Sequence, residues 1–153
     1  MLKILWVGKT KEKDLKNLIN EYKKRILNMI PLRIIEIEEE RKRNNYNEYF
    51  LKKEMERIVE NLGKDDYLIV LSERGKMMSS EQFSEFLADK FNRNKNVSFV
   101  LGGPWGVSKE LEEKANCLLS LSPMTFPHEI ARVLLLEQIY RALAIKKGSK
   151  YHK

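Results

Sequence analysis

Val97-Ser98-Phe99-Val100-Leu101-Gly102-Gly103-Pro104-Trp105-Gly106 is the stretch that decides the fold. An apolar run with β-branched residues ends in a glycine turn, so it reads as a buried strand with a special exit. Ser108 follows as an N-cap for a short helix through Ala115. Leu111 stands where a capping box needs Glu or Gln, so no box is expected there. Cys117 to Leu121 is the next strand. A long helix then runs from about Pro127 to Ile145, apolar around most of its circumference. One sheet face cannot use so many apolar positions, so this helix is expected to bury two faces, one on its own sheet and one on a partner.

Working back toward the N-terminus gives the same alternation. Asp66 to Leu71 reads as a strand, with Ser72–Lys76 as its C-terminal loop and Ser79 or Ser80 capping a helix through about Phe91. Leu2 to Val7 is a first strand ending at Gly8. Leu15, Leu18, Ile19, Tyr22 and Ile26 recur at helical spacing from about Asp14 to Met29, and Pro31 stops that helix. Leu32 to Glu38 is a second strand. Glu39 to Asn47 is charged and aperiodic and reads as a mobile loop, before a helix from about Glu48 to Leu62. Strands alternating with helices predict an α/β domain over 1–153, with a mainly parallel sheet and helices on both faces. Ligands of such sheets bind beyond the carboxyl ends of the strands. That edge gathers Ser72–Lys76, Gly102–Val107 and Ser122–His128.

Composition narrows the partners. The chain has 153 residues and a net charge of +7, which favours a polyanion such as RNA, DNA or an anionic membrane surface. A lone cysteine, Cys117, rules out an internal disulfide and suits a reducing compartment; with two histidines it speaks against a zinc site. The apolar start at Met1–Gly8 is too short and too soon charged for a signal peptide, and no window reaches the ~20 apolar residues of a membrane span. The expectation is a soluble cytoplasmic protein without a metal.

Three groups of residues carry candidate chemistry. Gly102, Gly103 and Gly106 lack the dinucleotide fingerprint and a P-loop lysine, yet would let a backbone approach a ligand closely. Trp105 has two uses open to it, covering an adenine or packing. Ser120 to Pro127, with Leu121-Ser122-Pro123-Met124-Thr125-Phe126 at its centre, is a loop of hydroxyl and apolar residues that two prolines restrict; it suits a purine, although an ordinary strand-to-helix connection has the same look. His128 and Arg132, four apart, share a helix face. They are either capping and packing residues or a charged wall for a phosphate or an oxyanion. The tail Lys150-Tyr151-His152-Lys153 combines charge with aromatic rings, which hold RNA backbones and stack bases, though many tails simply fray. Lys9, Lys11, Lys13, Arg41, Lys42 and Arg43 would extend the basic surface or form a solvated face.

In their order and spacing these phrases resemble the H-type large-subunit rRNA pseudouridine N3-methyltransferases of the SPOUT superfamily, across essentially all 153 residues. The resemblance implies S-adenosylmethionine as methyl donor, a homodimer, a C-terminal trefoil knot, and methylation of a pseudouridine in large-subunit rRNA within the ribosome. It places the cofactor against Leu71, Gly103 and Leu121–Phe126, with Gly102 and Gly106 shaping the pocket. Tyr151, His152 and Lys153 match the segment that reaches the target base, in the dimer the base held by the partner. Ser72, where the family often has aspartate, and Trp105, where it usually has a small or polar residue, are departures.

The chemistry follows from the substrate. The imide N3 must lose a proton to become a good nucleophile. Histidine ordinarily titrates near neutrality, which makes His152 the expected base. Arg132 or Lys153 would then stabilise charge on the flanking carbonyl oxygens. Two other functions fit the same sequence: a non-catalytic RNA-binding assembly factor that senses a nucleotide, and a tRNA methyltransferase.

Overall fold

The computed structural model describes residues 1–40 and 48–152. Most of the expected Glu39–Asn47 loop, and Lys153, lie outside the described residues. Five strands, β1 (Leu2–Val7), β2 (Leu32–Ile37), β3 (Tyr67–Met77), β4 (Val97–Leu101) and β5 (Cys117–Ser120), form one sheet. Its order is β2-β1-β4-β3-β5 and every pairing is parallel. Helices α1 (Lys13–Leu27), α3 (Ser80–Arg93) and α5 (His128–Lys146) cover one face, while α2 (Glu48–Glu60) and α4 (Lys109–Lys114) cover the other.

Two apolar layers explain this arrangement. Alternate residues of each central strand point to opposite faces. Ile4, Ile69 and Phe99 meet Ile26, Phe83, Leu87, Leu135 and Ile139. Leu5, Val70 and Val100 meet Met55, Ile58 and Leu111. The β1 and β4 strands are buried throughout, as befits central strands covered on both sides. Ser79 caps α3 through a complete capping box with Gln82, and Ser108 caps α4 by accepting from the Leu111 N–H without a box.

One expectation needs correction. Ser72–Lys76 is not a loop beyond the strand, because β3 continues to Met77. Leu71 and Lys76 both pair with Leu119, so the residues between them bulge out of the ladder. Gly75 makes the bulge possible, since a Cβ there would sit 2.6 Å from the Leu118 carbonyl carbon. Within the chain, α5 uses much of its apolar circumference on two neighbouring helices. The helix packs between α1 and α3, burying Leu135, Leu136, Ile139, Ala142 and Ala144.

The opposite, N-terminal edge of the sheet carries a polar hub that the sequence did not announce. Asp66 pairs with Lys3 at 2.5 Å and accepts from the Gly63 N–H, Asn96 Nδ2 and Ser98 Oγ at 2.9–3.0 Å. Burial works to raise its pKa, but these donors outweigh it and hold the carboxyl below its ordinary value.

Candidate active site

At the carboxyl edge the three sequence peculiarities meet in one cavity of about 130 Å³. Leu71, Ser72 and Glu73 of β3 form one side, and Leu101 and Gly102 at the end of β4 form another. Leu121, Ser122, Met124 and Phe126 come from the loop after β5, and His128 and Ala131 from the first turn of α5. Leu119, Ser120, Leu121 and Phe126 also wall a neighbouring cavity of about 350 Å³, which extends to Ser80, Phe83 and Gln138.

The glycine turn is built by close backbone contact. A Cβ on Gly102 would fall 2.3 Å from the Gly106 carbonyl carbon, so only glycine fits there. Gly106 takes φ +74° and donates its N–H to the Gly103 carbonyl at 3.0 Å. The Ser122 loop is held locally too. Ser120 Oγ donates to the Ser122 carbonyl at 2.9 Å, and Ser122 Oγ accepts from the Met124 N–H at 3.0 Å.

Of the expected cofactor residues, Leu71, Gly102, Leu121, Ser122, Met124 and Phe126 line the cavity. Gly103, Gly106, Pro123 and Thr125 are not on its wall; the two glycines set the turn from behind. Trp105 lies away from the cavity, 44% exposed, on a broad groove with Tyr49, Arg74 and Lys109. Glu73 and Ser120 line the cavity from the expected Ser72–Lys76 and Ser120–Pro127 segments, and Leu119 and Ala131 line it without having been singled out. For Leu119 the available signal was its place near the end of β5, and for Ala131 its place one turn beyond His128 on α5. His128 is half-buried, and burial, helped by the charge of Arg132, lowers its pKa, so it faces the cavity as a neutral ring.

Arg132 does not form the charged wall that its spacing from His128 suggested. It is fully buried. Its guanidinium donates to the Val7 carbonyl at 2.6 Å and to Thr10 Oγ1 at 2.9 Å, and lies over the Trp6 ring at 5.0 Å. The side chain is long enough to leave the shared helix face and reach the end of β1. One turn earlier, Glu129 accepts from the N–H groups of Lys11 and Glu12 at 2.8 and 3.1 Å. Together they clamp the start of α5, and hence His128, onto the β1–α1 connection.

The tail folds back along α5. Tyr151 donates to Glu137 at 3.2 Å, packs edge-on against Tyr140 at 4.8 Å and lies beneath Arg141. Burial, with Tyr22 and Glu137 beside it, pushes the Tyr151 pKa far up, so the phenol stays protonated. His152 lies 3.1 Å from Arg141 Nη1 through Nδ1 and 2.8 Å from Glu81 through Nε2. Glu137 sits nine residues beyond His128, about 13 Å along the helix. Neither Tyr151 nor His152 is on the wall of their own chain's cavity; His152 instead meets Glu81, next to Ser80 of the neighbouring cavity.

The walls suit a nucleoside-containing cofactor. Leucine, Met124 and Phe126 side chains can hold purine faces, serine hydroxyls and loop backbone can meet polar edges, and Glu73 can face a positive charge. Among the described residues no group of acidic, histidine or cysteine side chains is placed to hold a metal ion, and no helix is long and apolar enough to cross a membrane.

Comparison with known proteins agrees with this architecture. Residues 1–152 match the family described as "Predicted SPOUT methyltransferase". A protein of Caldicellulosiruptor bescii named ribosomal RNA large subunit methyltransferase H is 44% identical over 154 residues, covering 100% of both chains. Its namesakes in Acetivibrio thermocellus and Streptococcus uberis are 45% and 40% identical, covering 98% and 99% of both chains. A solved structure, a probable methylase family protein from Haemophilus influenzae, superposes with a TM-score of 0.55 at 16% identity, covering 99% of this chain and 70% of that one; it supports the fold. A doubly covered parallel sheet, a glycine-built cavity at its carboxyl edge and full-length relatedness give one conclusion: the chain belongs to the SPOUT methyltransferase family.

Proposed function

We propose that this protein transfers a methyl group from S-adenosylmethionine to N3 of a pseudouridine in large-subunit rRNA, acting in the cytoplasm on the ribosome as a homodimer. The observation that carries the reading is the cavity walled by Leu71, Gly102 and the Leu121–Phe126 loop, in a chain related over its full length to rRNA methyltransferases. When bound, S-adenosylmethionine supplies a methyl group already activated on a sulfonium. The protein's tasks are to hold the donor, align the nucleophile with it and remove the N3 proton.

Each task has residues. The β3, β4 and β5 ends and the Ser122 loop hold the donor, and the neutral His128 ring closes one wall. The fixed backbone at Gly102 leaves no room for drift. Tyr151, His152 and Lys153 are the groups for the target base: His152 accepts the N3 proton and Lys153 offsets charge on a flanking carbonyl. Arg132, committed to Val7 and Thr10, acts as a positioning residue. Because the tail is not on the wall of its own cavity, we place it at the cavity of a second subunit. Ile130, 37% exposed on α5, and Leu18, 45% exposed on α1, offer apolar surface for that pairing. The trefoil knot typical of the superfamily is part of this reading.

The test is transfer of labelled methyl from S-adenosylmethionine to ribosomes from cells lacking the protein. Label in large-subunit rRNA supports the proposal. Label in tRNA instead would favour a tRNA methyltransferase. Tight cofactor binding with no transfer would favour the assembly factor.

A further inference from the structure

A further concavity lies outside the active-site cavity and its neighbour. It runs between α1 and the edge strand β2, with a volume of about 250 Å³. Lys9, Lys16 and Lys23 line it, with Thr10 and Asn20 between them and Trp6 at its base. Lys16 and Lys23 are two turns apart on one stripe of α1, and Asn20 falls between them. They span about 10 Å, the rise of roughly three stacked nucleotides. Among the described residues none of the three lysines has a carboxylate within ion-pair distance, whereas Lys3, Lys53, Lys90 and Lys146 all do. Glu36, the one carboxylate on the wall, accepts from Trp6 Nε1 at 3.3 Å.

Its position gives the groove a purpose. Trp6 is stacked by Arg132, and Arg132 follows Ala131, which walls the active-site cavity. The Arg132 side chain and the Trp6 ring thus link the walls of the two concavities, and the groove opens at the carboxyl edge by Lys9 and Thr10 and runs from there along α1. Unpaired ammonium groups at helical spacing, with hydroxyl and amide donors between them, match the phosphates of an extended nucleic-acid backbone. Neither a bound nucleotide nor an apolar peptide would need three cations spread over that length.

We infer that the Lys9–Lys16–Lys23 groove docks the phosphodiester backbone of the substrate RNA, holding the strand that flanks the target nucleotide as it enters the cavity. The inference rests on the RNA methyltransferase reading above. It assigns these lysines to binding and not to chemistry, so they set how much substrate is captured at low concentration.

The test compares two triple variants with the wild-type protein, using methyl transfer to purified ribosomes from cells lacking it. The first is Lys9→Gln, Lys16→Gln and Lys23→Gln. The second, a charge-matched control, is Lys64→Gln, Lys95→Gln and Lys114→Gln, which are exposed at the opposite edge of the sheet. The groove variant is expected to raise KM for ribosomes at least about tenfold, with kcat and S-adenosylmethionine affinity within about twofold of wild type. Its plot of log KM against log salt should lose roughly two units of slope, about 0.7 per lost single-strand phosphate contact. The control should leave KM within about twofold. An unchanged KM in the groove variant, an equal rise in the control, or a fall in kcat alone would overturn the inference. A wild-type protein that methylates no RNA would instead overturn the reading on which it rests.

Discussion

The Arg132 guanidinium donates to the Val7 carbonyl at 2.6 Å, tying the last helix to the end of the first strand. The bond is buried and spans 125 positions of sequence. Removing the donor leaves a buried carbonyl without its partner, at a cost of about 1–3 kcal/mol. Arg132→Met should therefore lower the urea midpoint of unfolding. It should also weaken S-adenosylmethionine binding, because His128 and Ala131 lose their anchor. Calorimetry on the folded variant separates the two effects.

Gly102 and Gly106 should respond differently to alanine. At Gly106 there is open space, and the cost is the positive φ alone, about 1–2 kcal/mol. At Gly102 the new methyl meets Gly106 backbone, and the turn must move. Gly102→Ala is expected to reduce cofactor affinity by tenfold or more, while Gly106→Ala retains most of it. Equal losses would show that the turn is not held by this contact.

Acid sensitivity should originate at Asp66. Its folded pKa lies below the unfolded value, so its contribution is complete above about pH 4 and is lost as pH falls through the folded value. Asp66→Asn should be less stable at neutral pH, since Lys3 loses its buried partner. Its stability should also change less than wild type's between pH 5 and pH 2. Denaturant titrations across that range check both statements.

Mixed dimers test the placement of the tail. A subunit carrying His152→Ala and a subunit carrying Gly102→Ala should each be weak alone. Mixed together they should recover activity, because one intact cavity then meets one intact tail. No recovery, in dimers shown to have mixed, would return the tail to its own chain. Methyl transfer by His152→Ala at several pH values adds a second check. A loss that is equal at every pH would remove His152 as the base.

Strand order of types and both helical layers were legible in the sequence, because burial on two faces leaves continuous apolar runs such as Val97–Leu101 and periodic helices such as α1. The Ser72–Gly75 bulge was not. It depends on how closely Gly75 approaches Leu118, a contact between segments more than forty positions apart. Half of the cofactor wall could be read from the Gly102 turn and the Ser122 loop. Arg132 misled because helical spacing fixes where a side chain starts and not where a long one ends. The Asp66 hub went unseen for a related reason: its partners come from two distant segments, Lys3 from β1 and Asn96 and Ser98 from the start of β4. Of the groove lysines the sequence singled out Lys9 alone, as basic surface or solvated face, and only folding sets it beside Lys16 and Lys23.

The most direct measurement is mass spectrometry of nuclease fragments from large-subunit rRNA after incubation of unmethylated ribosomes with the protein and S-adenosylmethionine. The account predicts one fragment that gains a single methyl group, located on N3 of a pseudouridine and absent without the protein. A methyl group on a ribose oxygen, on an ordinary uridine or only on tRNA would contradict it.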